Sequence, residues 1–172
     1  LDYIPAWDNG TLKPLEKLEV HKKGLRHKAI SVFLFSGEEL LIQQRALSKY
    51  HTPGLWANTC CTHPYWQETS EDCAKRRLYE ELGINVSELT YKDKIEYKAE
   101  VGNDLIENEI VDIFVCYFDK KSNVTIKLNP EEVMSTKWIK IDELISEIRK
   151  NPAHFTPWIR IYMDQHKEQI TL

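Results

Sequence analysis

Residues 58–64, Asn58-Thr59-Cys60-Cys61-Thr62-His63-Pro64, and residues 76–84, Arg76-Arg77-Leu78-Tyr79-Glu80-Glu81-Leu82-Gly83-Ile84, enclose the part of the chain that decides its fold. Pro53-Gly54 turns the chain into the first run, and residues 55–61 read as a strand. The second run reads as a helix. Thr69 and Ser70 followed by Glu71 and Asp72 form a start signal with acidic residues in the first turn, and Gly83 is the stop. Ala74, Leu78 and Leu82 recur at helical spacing and would seat this helix on a sheet. A cysteine, a histidine and a carboxylate-bearing helix thus come together in a short stretch. Acid–base chemistry, metal binding and phosphate handling can all converge there on one pocket.

Working outward, residues 29–35 read as a strand, Ser36-Gly37-Glu38-Glu39 as a hairpin turn and residues 40–45 as its antiparallel partner. The run from 105 to 118 has the β-branched and aromatic bias of a long strand, and period two places Glu107, Glu109, Val111, Ile113 and Val115 on one face. Two carboxylates therefore occupy one end of an otherwise apolar face. Trp138-Ile139-Lys140-Ile141 suggests a further strand, Asp142 a cap for a helix to about residue 150, and residues 157–166 a last helix. Strands and helices alternate without a βαβ rhythm, so the expected class is α+β, a mixed β-sheet flanked by α-helices.

The chain has 172 residues, 42% of them hydrophobic, with five Trp, eight Tyr and five Phe, enough to fill one core, and neither a repeat nor a linker divides it. Residues 1–172 are expected to form a single domain. A net charge of −4 and a pI near 5.9 give no electrostatic reason to expect nucleic-acid binding, although a phosphate pocket needs only a few cations. No apolar run approaches the roughly 18 residues of a membrane span, and Leu1-Asp2-Tyr3-Ile4-Pro5 lacks the order of a signal peptide. The expectation is a cytoplasmic protein without membrane partners, a monomer or weak homodimer. Cys60, Cys61, Cys73 and Cys116 show no Cys-x-x-Cys spacing and read as free thiols; adjacent Cys60 and Cys61 in a strand would point to opposite faces.

The second run resembles a Nudix box, whose pattern is Gly, five residues, Glu, seven residues, then Arg-Glu-apolar-x-Glu-Glu-x-Gly-apolar. On this chain it places Thr62 at the glycine, then Glu68, Arg76, Arg77 at a glutamate, Glu80, Glu81, Gly83 and Ile84. Nudix hydrolases commonly hold metal with the carboxylate that Arg77 replaces; a guanidinium there repels a cation and attracts phosphate. The first run, together with Glu107-Asn108-Glu109 and Phe155-Thr156-Pro157-Trp158 in the expected order, resembles the type I isopentenyl-diphosphate isomerases. That resemblance spans residues 17–158. It implies a Nudix-like fold and a metal-dependent 1,3-proton shift that turns isopentenyl diphosphate into dimethylallyl diphosphate.

The resemblance also implies roles for particular residues. Cys61 and Glu109 match the acid–base pair, Tyr97 a phenol bonded to the acidic carboxylate, and Trp158 an aromatic residue that covers the carbocation. Lys17, Arg45, Lys49 and Arg77 match diphosphate ligands. His21, His27, His63, Glu107 and Glu109 supply five donors, a set suited to an octahedral Mn2+, Mg2+ or Zn2+ with one place left for substrate or water. Glu81 would hold a second ion, Mg2+, bridging to the diphosphate. No flavin is expected, as no Gly-rich dinucleotide fingerprint occurs. The alternatives are a Nudix diphosphohydrolase acting on a small diphosphate and a noncatalytic ligand-binding Nudix module.

Overall fold

A computed structural model describes residues 2–171. The elements run β1 (Tyr3–Asp8), β2 (Thr11–Glu16), α1 (Lys17–Lys23), β3 (Arg26–Ser36), β4 (Glu39–Arg45), β5 (Trp56–Ala57), β6 (Cys60–Thr62), α2 (Ser70–Leu82), β7 (Thr90–Gly102), β8 (Leu105–Phe118), β9 (Val133–Lys140), α3 (Ile141–Lys150), α4 (Pro157–Gln165) and α5 (Lys167–Ile170). The class is the expected α+β, a mixed sheet between helices.

Strand β3 organises the sheet. One of its edges pairs in parallel with β8 along its whole length, from Arg26↔Asn108 to Ser36↔Phe118. The other edge is shared in succession by β1 at His27, β6 at residues 30–32 and β4 at the hairpin end. Buried on both faces, β3 reads as a nearly continuous apolar run. Ile30, Val32 and Leu34 join Cys73, Ala74, Leu78 and Leu82 of α2, while Ala29, Phe33 and Phe35 join α3 and α4 through Leu144, Trp158, Ile159 and Tyr162. The helix spacing in 74–82 therefore does seat α2 on the sheet. Thr69 caps it by accepting from the Asp72 amide at 3.1 Å, and Gly83 ends it at φ 66.

The strand expected over 55–61 is instead two short pieces. β5 pairs with β4 and β6 with β3, and the chain crosses between them at Asn58 and Thr59. Both side chains are fully buried and satisfy backbone groups of the strands they separate. Asn58 Nδ2 donates to Val32 O at 3.0 Å, and Thr59 Oγ1 donates to Leu41 O at 2.6 Å while accepting from Leu34 N at 2.9 Å. Cys60 consequently joins the α2 side and Cys61 the opposite side, and all four cysteines are free thiols. Asp142 does not cap α3: Lys140 is the N-cap, without a side-chain bond, and Asp142 lies in the first turn, where its charge still suits the helix dipole. The hairpin β1–β2, helix α1, strand β7 and helix α5 are additional to the expected elements, so α4 is not the last helix. No helix among the described residues is long and apolar enough to cross a membrane.

Candidate active site

The parallel β3–β8 register sets His27 beside Glu109. His63, just past β6, and His21, on α1, close around them, with the three imidazole centroids 4.8–5.0 Å apart. His21 and His27 are 0% exposed. Helix α1 exists to place His21: Glu16 accepts from the Leu18 and Glu19 amides at its start, and Gly24 at φ 65 ends it. His21 Nδ1 donates to Lys17 O and His27 Nδ1 to Leu25 O, both at 2.7 Å, because a carbonyl can only accept. In the neutral rings each Nε2 then carries a lone pair toward the centre. His21 Nε2 is buried without a partner among the described residues, and His27 Nε2 faces Glu109 Oε2 at 3.1 Å, acceptor against acceptor.

His63 Nε2 stands 2.8 Å from the same oxygen. Burial pushes His21 down to about 4 and His63 to about 3, the neutral state in which imidazole binds metal. His21, His27, His63 and Glu109 thus form one donor group that fits a divalent ion. Glu107, expected in that group, falls in a second one with His21 and His51.

Glu107 and Glu109 meet at Tyr97, on β7. The Tyr97 hydroxyl donates to Glu109 Oε1 at 2.7 Å and also contacts Glu107 Oε2. One phenolic proton cannot serve both carboxylates, so the second contact takes its proton from Glu107. The charge balance agrees. Burial, then the Glu109 charge, pushes Glu107 well above the usual carboxylate range. Burial opposes ionisation of Glu109 too, but His63, with Nε2 at 2.8 Å, outweighs it and holds Glu109 well below that range.

Cys61 opens onto the same cleft. Its thiol donates to Asn58 Oδ1 at 2.9 Å and lies 3.1 Å from Ser31 Oγ, which in turn is 2.8 Å from Tyr162 Oη. Burial pushes the thiol far up, so Cys61 stands protonated. Trp158, on α4, lines the cleft and carries the Arg45 guanidinium 5.2 Å from its ring centroid.

Lys17, Lys49 and Arg77 line the entrance and share one neighbourhood with Glu81 and Glu132. Burial, and then the Lys49 and Arg77 charges, lower the pKa of Lys17. Glu132 Oε2 takes Lys49 Nζ at 2.6 Å and Arg77 Nη2 at 3.3 Å. Arg77 Nη2 also donates to Glu81 Oε2 at 2.8 Å, and Gln43 Nε2 to Glu81 Oε1 at 2.9 Å. Arg45 directs Nε to Thr52 O at 3.2 Å and Nη2 to His51 O at 3.3 Å, so the β4–β5 loop anchors it. All the residues expected at the site except His21 and His27, which lie behind it, line one cleft.

His51, Glu132, Asn58, Ser31 and Tyr162 are site residues that sequence reasoning missed. Thr52, at φ 46, is strained by about 1–3 kcal/mol, a cost retained where the surroundings over-determine the backbone.

A cleft of this kind, walled by a mixed sheet and a carboxylate-bearing helix, is the Nudix arrangement. The model of the NUDIX domain matches residues 25–159, and the chain belongs to the Nudix family. The solved structure of DR0079 from Deinococcus radiodurans superposes with a TM-score of 0.75 at 12% identity, covering 95% of this chain and 98% of that one. The MutT protein from Methanosarcina mazei superposes at 0.65 with 13% identity, covering 84% and 94%. Both show the shared fold. Two bacterial proteins named isopentenyl-diphosphate Delta-isomerase, from Dinoroseobacter shibae and Rhodobacter capsulatus, are each 54% identical over 169 residues, covering 98% of this chain and 95% of theirs. Within the Nudix family, the chain is a member of the isopentenyl-diphosphate Delta-isomerases.

Proposed function

We propose that the chain converts isopentenyl diphosphate to dimethylallyl diphosphate by a 1,3-proton shift. The observation that carries this reading is the convergence on one cleft of a protonated thiol, Cys61, and a carboxylate pair sharing one extra proton through Tyr97. The reaction adds a proton at the terminal alkene carbon and removes one from C2, with a tertiary cation between. An alkene is a weak base, so it needs a strong and well-placed acid in a site that excludes water. The Glu107–Tyr97–Glu109 group supplies a proton that can move along two short contacts, and Cys61 supplies the second exchangeable group. The Trp158 face lends electron density where positive charge develops. Lys17, Lys49 and Arg77 bind the diphosphate, Arg77 through a planar fork and the lysines as point charges. Arg77 in place of a metal-binding carboxylate weighs against hydrolysis.

His21, His27, His63 and Glu109 would hold a divalent ion, Mn2+, Mg2+ or Zn2+, with Glu107 beside it. When bound, that ion fixes the imidazoles and the Glu109 carboxylate in place. Glu81, at the foot of the cationic entrance, is where a Mg2+ bridging to the diphosphate would sit.

The test is incubation with isopentenyl diphosphate and Mg2+ in deuterated water, following methyl and vinyl protons by NMR together with free phosphate. Deuterium-bearing dimethylallyl diphosphate without phosphate release is the expected result. Phosphate or pyrophosphate release without isomer would establish the hydrolase instead.

A further inference from the structure

Cys61 sits at the end of a line of hydrogen bonds whose protons can be assigned one by one. Asn58 Nδ2 donates to Val32 O at 3.0 Å and to Cys60 O at 3.1 Å, which turns Oδ1 toward Cys61. An amide oxygen only accepts, so the thiol proton lies on the Asn58 side of the sulfur. Ser31 Oγ, 3.1 Å from Sγ, therefore meets a sulfur lone pair and is the donor of that contact. With its proton so committed, Ser31 accepts from the Tyr162 hydroxyl at 2.8 Å. Among the described residues the reverse arrangement fails: were Ser31 to donate to Tyr162, the buried phenol would have no acceptor for its own proton.

The fold fixes each member of this line. Ser31 and Cys61 are direct partners in the antiparallel β3–β6 register, so their side chains stand side by side on one face. Asn58 is tied down where the chain crosses from β5 to β6. Tyr162 lies one turn beyond Trp158 on α4, and its ring is set edge-on against Phe33 and Tyr97 with centroids 5.6 and 5.8 Å away. That packing would hold a phenyl ring equally well. The hydroxyls of Tyr162 and Ser31 are nevertheless buried in an apolar core, where a polar group costs free energy unless it is hydrogen-bonded. What the two hydroxyls reach is the Cys61 sulfur. Helix α4 thus carries Trp158 over the cleft and Tyr162 behind the thiol.

We infer that Ser31 and Tyr162 are positioning residues for Cys61 and act in series from behind the cleft. The Tyr162 hydroxyl orients that of Ser31, and the Ser31 hydroxyl together with Asn58 Oδ1 holds the sulfur in one rotamer. Two directions around the sulfur are then occupied, and the remaining one faces the cleft that Cys61 lines. Ser31 and Tyr162 meet no substrate and exchange no proton with it. This inference rests on the reading of Cys61 as an exchangeable group in the proton shift.

The test compares wild type, Ser31→Ala, Tyr162→Phe and the double variant in two measurements. Infrared difference spectra against Cys61→Ala isolate the Cys61 S–H stretch without substrate. That band is expected at the position of a hydrogen-bonded thiol in wild type, and shifted or broadened in Ser31→Ala and, to a lesser degree, in Tyr162→Phe. In assays with isopentenyl diphosphate and Mg2+, Ser31→Ala should lower kcat about 10–100-fold with KM within about threefold of wild type. The double variant should be no slower than Ser31→Ala, because the two residues act in series. An unchanged band in Ser31→Ala, a kcat within about twofold of wild type, or losses that multiply in the double variant would each overturn the inference while the isomerase reading stands. Wild type without isomerase activity would overturn that reading, and the band alone would then decide whether the hydroxyls hold the sulfur. A wild-type band at the position of an unbonded thiol would overturn the inference even if the variants do not fold.

Discussion

Tyr97 Oη lies 2.7 Å from Glu109 Oε1, and the same oxygen contacts Glu107, so two buried carboxylates from one strand face communicate through a single phenol. Removing that oxygen leaves both carboxylates in place but breaks the path between them. Tyr97→Phe should fold and bind substrate with KM changed by no more than a few fold, while kcat falls by about 10²–10⁴. Steady-state kinetics decide the matter; a kcat within a few fold of wild type would remove Tyr97 from the proton path.

Arg77 is gathered by Glu80, Glu81 and Glu132. Arg77→Glu would leave these carboxylates facing one more and take away a cation the substrate needs. A fall in kcat/KM of about 10²-fold or more is expected, carried mainly by KM, with no phosphate release gained. A variant that hydrolyses the substrate while losing isomerase activity would show that the cleft is only one substitution from Nudix hydrolysis.

The buried histidines make the metal-free protein acid-sensitive. His21 has a folded-state pKa of about 4 against an ordinary 6.5, so the unfolded chain binds the extra proton first as pH falls. Its contribution is fully present above about pH 7 and is lost progressively below 6.5. Glu107, held protonated, acts in the opposite direction over the same range, so the informative quantity is a difference between variants. In chelator, His21→Gln relative to wild type should gain about 1.4 kcal/mol on going from pH 7.5 to pH 5.5, read from urea midpoints. An equal response of the two proteins would contradict a neutral, buried His21.

Gly83 ends α2 at φ 66, and a Cβ there would come within 2.8 Å of both Lys127 Cβ and Lys127 O. Gly83→Ala combines left-handed strain with a backbone clash and should destabilise the fold by about 1–3 kcal/mol. The segment it would push, residues 127–129, is hydrogen-bonded to the Leu82 and Glu81 carbonyls. KM should therefore rise with the loss of stability, and denaturant unfolding alongside kinetics tests both.

Much of this arrangement was legible before the structure. Helix α2 declared itself through Ala74, Leu78 and Leu82, and β8 through its β-branched run, because burial on a sheet imposes those periods. β7 does not stand out in the sequence although Ile95, Tyr97 and Val101 alternate with charged residues, since its exposed edge of lysines and glutamates masks the pattern. The break at Asn58 and Thr59 could not be read from strand propensity, because it depends on which strand carbonyls those side chains satisfy. The candidate metal and proton-transfer residues came from motif resemblance. His51 belongs to no periodic element, and Glu132 is paired with cations more than 50 residues away in sequence; only the folded chain shows their partners.

The parallel ladder between β3 and β8 joins residues such as His27 and Glu109 across 82 positions of sequence. Bringing such distant segments together exacts a loop-closure entropy before any pairing rewards it, so this ladder belongs to the slow, late part of folding. A chain in which α2 and the β3–β4 hairpin have already formed still lacks its carboxylates beside the histidines. Competence for chemistry therefore arrives together with the last long-range closure, and recovery of ion binding during refolding would time that closure directly.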